Sequence, residues 1–389
     1  MNILIISPFF APYSGVGAIR MTSLSKHFIK EGENVTVIKN ANSLYPDNSC
    51  KSIVPDNLTI YEVNCSNNEL ALKEAYITTL NDILVKSVFD IIIVSGGPFY
   101  TLPAVINIHR THNVDYVIDF RDLWLFNNTK ETTSLRILLG KMRIFLINLK
   151  HFGTEYLAIK NALAIITVSS GDKQIMQKQY KKYKDKIHVV YNGYDDIQLK
   201  DLPESVPTYK SFVIGHFGKL SNYSKRYGIE LFRAIMNLRN KGIDIKLLHI
   251  SQYEDRDSKI MKDLDFDSAG YINTGLKSYV DGISMLKNVD MLSLIHVHPT
   301  GFGTKIFDYL YLNKPIIAVS PPNIFLSKFI SQYQNAFVCQ SSEQIIEAIE
   351  TVIRDKKKIL DRSNNYLEYS RTKQNEVFYQ LLKDIVISK

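Results

Sequence analysis

The sequence predicts an α/β protein of two Rossmann-like, doubly wound domains facing a central cleft. Three observations carry that reading. Short apolar, β-branched runs recur along the chain, and they are continuous rather than alternating, as strands of a parallel sheet covered on both faces are. Stretches with helical spacing separate them, which is β-α-β winding. The pattern halts near the middle and restarts, as expected of a 389-residue chain too long for one core.

In order, ILII (3–6), VTVI (35–38), DIIIVSG (90–96), YVIDF (116–120), AIITVS (164–169) and IHVVYNG (187–193) are the expected strands of a first domain, residues 1–195. After the first strand, Ala18, Met21, Leu24 and Phe28 step along one helical face, and Glu31-Gly32 ends that helix. The run 192–210 is polar, with an Asn-Gly turn and two prolines, and its 196–210 portion is expected to be a linker. The second domain, 211–370, begins with the strand SFVIGHFG, the helix IELFRAIMNLRNKG and the strand IKLLHIS. GYINTG and DMLSLIHV follow as strands, then a helix near 304–312 and the strand PIIAVS. Residues 371–389 are expected to form a helix that packs back on the first domain.

Hydrophobic residues make up 45% of the chain, which excludes a disordered protein. The formal net charge of +8 favours acidic partners: phosphorylated small molecules, nucleic acid or an anionic membrane surface. Cys50, Cys65 and Cys339 have no CxxC spacing and no nearby histidine pair, so zinc and a disulfide framework are not expected and a reducing compartment fits. NILII is too short for a signal core, and no apolar run approaches the about 20 residues of a membrane-spanning helix. A cytoplasmic protein is expected, peripheral on the inner face of the membrane if attached at all.

The loop SPFFAPYSGVGAIRM (7–21) has three readings. As a dinucleotide fingerprint, Gly15-Val16-Gly17 supplies G-x-G, but Arg20 stands where a third small residue is wanted. The loop is also long, and Ile38-Lys39-Asn40 ends the next strand without the acidic residue that would grip a ribose. As a connector, it needs only its prolines and glycines. As a glycine-lined cleft floor, it would let backbone approach a substrate closely.

Three further segments carry chemistry. DFRDLW (119–124) puts an Arg and two Asp at the C-terminal end of a buried strand, where α/β sheets hold their ligands. GHFGKLSNYSKRYG (215–228) offers Lys219, Lys225 and Arg226 around glycines, which suits a diphosphate. HPTGFGTKIFDYLYLNKPIIAVSPP (298–322) places GFGT before a helix whose free N–H groups suit phosphate, with Asp308 one turn in from Thr304.

With these segments in this order and spacing, nearly the whole chain resembles a glycosyltransferase of the retaining family-4 type with the two-Rossmann-domain GT-B fold. PFFAPYSGVGA, DFRDLW, VVYNGYD, GKLSNYSKR and TGFGTKIFDYLYLNKPIIA carry the resemblance, the last most specifically. It implies that Gly15 and Gly17 lie beneath the donor diphosphate and the acceptor. It implies that Lys219, with Lys225 or Arg226, binds the donor phosphates. The family's E-x(7)-E pattern falls on Thr300 and Asp308. Asp308 keeps the acid that binds ribose, whereas Thr300 replaces the acid that contacts sugar hydroxyls. The amides of Gly301, Phe302, Gly303 and Thr304, with Lys305 beside them, are expected to face the sugar and phosphates. Where the family often has a His-Asp pair, this chain has Arg121-Asp122, expected to bind a charged acceptor group and orient the acceptor.

The expected activity is transfer of a sugar from a nucleotide-sugar, UDP- among the candidates, to a glycan or lipid-linked acceptor in polysaccharide or glycoconjugate synthesis. No cofactor and no metal are expected. Asp255-Arg256-Asp257 and Asp265-Phe266-Asp267 mimic a metal-binding DxD but read as solvated loop charges. The segment 135–152 alternates Arg and Lys with apolar residues, and either packs on its own domain or meets an anionic membrane. Nucleic acid is not expected, because no binding motif accompanies the basic residues. Two alternatives stand beside transfer: an NAD(P)-dependent sugar-modifying enzyme, and a non-catalytic nucleotide-sugar-binding protein.

Overall fold

Continuous apolar runs become parallel strands here because both faces of each sheet are covered by helices. A computed structural model of the chain describes residues 1–13, 15–41, 54–55, 57–65, 68–125, 151–202, 209–301, 303–360 and 366–388. The chain divides into one unit of Met1–Asn192 with Gln374–Lys389 and another of Gly193–Lys373.

The first unit is built on seven strands: β1 (Asn2–Ile6), β2 (Asn34–Asn40), β3 (Thr59–Val63), β4 (Ile91–Gly96), β5 (Tyr116–Phe120), β6 (Ala164–Thr167) and β7 (Ile187–Val189). Their order is β3-β2-β1-β4-β5-β6-β7 and every pairing is parallel. Ile3 in β1 faces Val35 on one side and Ile91 on the other. The winding reverses between β1 and β4, so the loops after these two strands flank the switch point, where such sheets hold ligands. The Val16–Lys30 helix buries Ala18, Met21, Leu24 and Phe28 against the sheet. Glu31 caps it and Gly32, at φ +85°, turns the chain. Phe28 also meets Phe378 and Tyr379 of the Arg371–Ile387 helix, with ring centroids 6.2 and 5.8 Å apart. Phe378 and Leu382 are each 1% exposed, and burial of that kind is worth about 1.5–3 kcal/mol per side chain.

The second unit carries β8 (Phe212–Phe217), β9 (Ile245–Ile250), β10 (Tyr271–Asn273), β11 (Met291–Ile295), β12 (Ile316–Val319) and β13 (Ala336–Cys339). They order as β10-β9-β8-β11-β12-β13, again all parallel. Ser224 caps the Lys225–Asn240 helix through the Tyr227 amide, and this helix buries Leu231, Phe232, Ile235 and Leu238.

Two strands, β3 and β13, answer to no run singled out in the sequence. β3 is an edge strand with one fully buried residue, Val63, so its composition carries little apolar signal. The stretch read as linker begins with a helical turn, Asp196–Leu199, capped when the Gln198 amide donates to Asp195 at 3.0 Å. That turn belongs to the second unit, while 203–208 lie outside the described residues. Gly193 is required where it stands: its φ is +68°, and a Cβ would come within 2.7 Å of the Tyr369 carbonyl.

Candidate functional site

In the first unit, the loop after β1 is held from several sides. The Ala11 amide donates to Thr22 Oγ1 at 3.1 Å, and the buried Lys39 ammonium donates to the Ala11 carbonyl at 3.3 Å. Gly15 then stands at the N-cap of the first helix without a side-chain cap. Arg20 is no defect in a glycine motif. It is 7% exposed and grips Asp119 of β5 with two bonds of 2.8 Å. Its remaining N–H groups go to the Val190 and Tyr191 carbonyls at 3.1 and 3.0 Å and to Asn192 at 3.3 Å. The first acid of DFRDLW is therefore consumed in a structural pair.

Arg121 and Asp122 divide differently. The Arg121 guanidinium donates to the Gly97 carbonyl at 2.9 Å, sits 5.4 Å over the Phe9 ring, and lies 3.8 Å from Asp122. It passes over Gly17, where a Cβ would overlap it. The Asp122 side chain is 61% exposed and available to a ligand.

In the second unit, two buried histidines shape the turn after β8. His216 Nε2 bonds the Lys219 carbonyl at 2.8 Å, and His249 Nε2 bonds the Gly218 carbonyl at 2.8 Å. A carbonyl only accepts, so both Nε2 atoms carry protons, leaving the Nδ1 atoms toward Ser293 and Tyr271 hydroxyls at 3.0 and 2.7 Å. Burial holds both imidazoles below their ordinary pKa, His216 well below, so they act as neutral braces. The turn they brace presents Lys219, and Lys225 and Arg226 open the next helix; all three side chains are exposed.

Lys305 differs from those three. Its Nζ lies 3.5 Å from His216 Nε2 and 5.3 Å over the Tyr223 ring, and a Cβ on Gly218 would be 3.6 Å away. Burial pulls its pKa down to about 8. Lys305 opens the Lys305–Leu312 helix, and Thr304 at its N-cap makes no side-chain cap, so among the described residues no cap competes with an anion for the first N–H groups.

Asp308 is 5% exposed and accepts a 2.5 Å bond from the Tyr279 hydroxyl. Tyr279 in turn receives the Asp195 amide at 3.5 Å, and the Asp195 carboxylate pairs with Arg371. Burial raises the Asp308 carboxyl to about 7 and raises the Tyr279 phenol as well.

Residues 17–197 match the family model Glycosyltransferase Family 4. The match spans most of the first unit. The whole chain is similar in fold to a glycosyltransferase from Rickettsia africae, with a TM-score of 0.69 at 17% identity, covering 99% of this chain and 98% of that one. HepE of Anabaena, solved in complex with UDP, gives 0.65 at 16% identity over 99% and 100%. A UDP-GlcNAc 2-epimerase from Methanocaldococcus jannaschii gives 0.62 at 14% over 99% and 100%. No curated protein sequence matches. The fold is GT-B, two Rossmann-like α/β domains.

Several sequence readings need correction. The Gly301 amide does not stand open, because it donates to His298 Nδ1 at 3.2 Å while His296 Nε2 donates to the Gly301 carbonyl at 2.7 Å. Thr300 is 7% exposed beside the same His298. Asp257 is not a solvated loop charge: it is fully buried in the Asp255–Asp263 helix and accepts the Ser221 amide at 3.3 Å. Asp267, by contrast, is 57% exposed in its connector, as the sequence predicts, and there caps a turn and pairs with Arg239. Phe302 and residues 135–150 of the basic segment lie outside the described residues. Among the described residues, no helix is long and apolar enough to cross a membrane. Sequence reasoning missed Tyr279, His216, His249 and His298, since a lone His or Tyr on a strand or helix has no local pattern that marks it.

Proposed function

We propose that the protein is a glycosyltransferase that takes a sugar from a nucleotide-sugar and passes it to a glycan or lipid-linked acceptor with retention of configuration. The observation that carries this is the cation set of the second unit: exposed Lys219, Lys225 and Arg226, enclosed Lys305, and an uncapped helix start beside it. Such a set suits a departing diphosphate, whose charge grows as the sugar leaves. Gly303 and Thr304 amides would add N–H donors, and Asp308 would receive the ribose hydroxyls. UDP is the favoured nucleotide, since HepE of similar fold was solved with it.

In this reading the bond from the anomeric carbon to the phosphate oxygen breaks, and a bond to the acceptor oxygen forms on the same face. The acceptor proton passes to the departing phosphate, so no carboxylate nucleophile is needed. Asp122 would orient the acceptor and Arg121 would bind an anionic group on it. A role in cell-surface polysaccharide or glycoconjugate synthesis, at the cytoplasmic face of a membrane, belongs to this proposal. It uses no metal.

Incubation with UDP-, GDP-, CMP- and dTDP-sugars tests the reading, with thermal shift for binding and product analysis for chemistry. Stabilisation by one nucleotide and slow release of sugar to water or to a saccharide acceptor are expected. The similarity in fold to a UDP-GlcNAc 2-epimerase makes the C2 epimer of the nucleotide-sugar the competing product. Appearance of that product, or of no product with tight nucleotide binding, would replace the transferase reading.

A further inference from the structure

At the far end of the first helix, away from Gly15 and Gly17, three ligand-type groups meet. His27 and Glu31 lie one turn apart, and Glu376 comes from the Arg371–Ile387 helix; one ligand atom of each lies within 4.8 Å of the others. The His27 side chain is 9% exposed, and its Nε2 is buried without a hydrogen bond, 3.4 Å from Glu376 Oε2. A buried imidazole nitrogen left unbonded is costly unless something occupies it. The surroundings favour a cation. Glu31 is the C-cap residue, so the unpaired carbonyl end of the helix adds negative potential to two carboxylates. Glu33, the next acid, is already engaged by the Tyr379 hydroxyl at 2.5 Å. Lys30 opposes a cation, but its side chain is exposed to water.

We propose that His27, Glu31 and Glu376 form a divalent-metal site of the Zn²⁺ class that clips the C-terminal helix to the first helix. One imidazole with two carboxylates suits Zn²⁺ and Co²⁺, whereas Ca²⁺ and Mg²⁺ take oxygen ligands alone. Ligands at about 2.0–2.1 Å stand roughly 3.3 Å apart around Zn²⁺, so small rotations of the two carboxylates close the set. The clip would secure a helix that belongs to the first unit although the chain reaches it from the second. At 1.5 Å per residue, His27 sits roughly 16 Å along the helix from its start, so the site is separate from Gly15 and Gly17.

The test uses the full chain, without an affinity tag and stripped by chelator. Calorimetry with Zn²⁺ alone should show one saturable site per chain, Zn²⁺ should raise the melting temperature, and Co²⁺ should give a visible absorption band. His27→Gln and Glu376→Gln should each weaken Zn²⁺ binding by at least about tenfold, a loss that even groups merely orienting a ligand produce. Donor turnover should stay unchanged in both. Should His27→Gln fail to fold, Glu376→Gln decides, because that side chain is 43% exposed and its loss leaves the core intact. Absence of saturable Zn²⁺ binding, or undiminished binding in the variants, overturns the site without touching the transferase reading.

Discussion

The guanidinium of Arg121 occupies the space that a side chain on Gly17 would need. Gly17 has no positive φ, so glycine serves there to leave room for the guanidinium and not for conformation. Gly17, in the first turn of the Val16–Lys30 helix, thus leaves room for an arginine from the loop after β5. Gly17→Val should leave the protein folded, displace Arg121 from Gly97 and Phe9, and strongly reduce transfer. Arg121→Ala should lower transfer by itself, and adding Gly17→Val to it should cost little more. Melting curves and turnover on the same preparations check this. Additive losses would mean that Gly17 has a role independent of Arg121.

Arg20 and Asp119 lie in the same region but should behave as structure. Removing either partner strands a buried charge, which costs about 3–5 kcal/mol. Asp119→Ala and Arg20→Ala should therefore lower stability sharply in urea unfolding. The double variant should lose less than the sum, because no unpaired charge remains.

The exposed Lys219 should contribute binding and not stability. Lys219→Ala should weaken UDP by about 1.5–3 kcal/mol, the value of a charge-assisted bond to phosphate, while the melting temperature holds. Unchanged affinity in calorimetry would remove Lys219 from the phosphate site.

Lys305 should report nucleotide binding through its proton. Its folded pKa is lowered to about 8 from an ordinary 10.5, so it is partly neutral in the free protein above pH 8. A diphosphate beside it favours the charged form. UDP binding near pH 9 should take up about one proton at most, seen as dependence of the calorimetric heat on buffer ionisation. Lys305→Met should abolish the uptake. In the free protein, the cost of burying this charge is present below pH 8 and relieved as pH rises from 8 toward 10.5.

Asp308 carries the opposite dependence. Its folded pKa is raised from 3.8 to about 7, so folding favours its neutral form. The stability it contributes is full below pH 3.8 and is lost as pH rises through 7. At roughly 1.4 kcal/mol per unit, the loss reaches a few kcal/mol. Asp308→Asn should flatten the fall in stability between pH 4 and 7, as measured by urea unfolding across that range. If Asp308 also receives ribose, the same variant should weaken UDP at pH 7.5; an unaltered titration would leave Asp308 a structural partner of Tyr279.

The sequence by itself determined the class of fold and its main parts. Continuous apolar runs marked β1, β2, β4 to β9, β11 and β12, because burial on both faces of a parallel strand leaves a mark in consecutive residues. Helix starts, glycine turns and clusters of cations are likewise local, so the GKLSNYSKR and TGFGTKIFD segments were legible as a group. What a charged side chain does was not. Arg20 meets Asp119 across 99 residues, Lys305 meets His216 across 89, and Asp195 meets Arg371 across 176. The tertiary structure decided that one Arg and one Asp of the apparent site are struts, that Gly17 makes room for Arg121, and that His298 takes the Gly301 amide. The physical reason is that periodicity depends on neighbours a few residues apart, whereas pairing, burial and pKa depend on whichever groups the fold brings within a few ångströms.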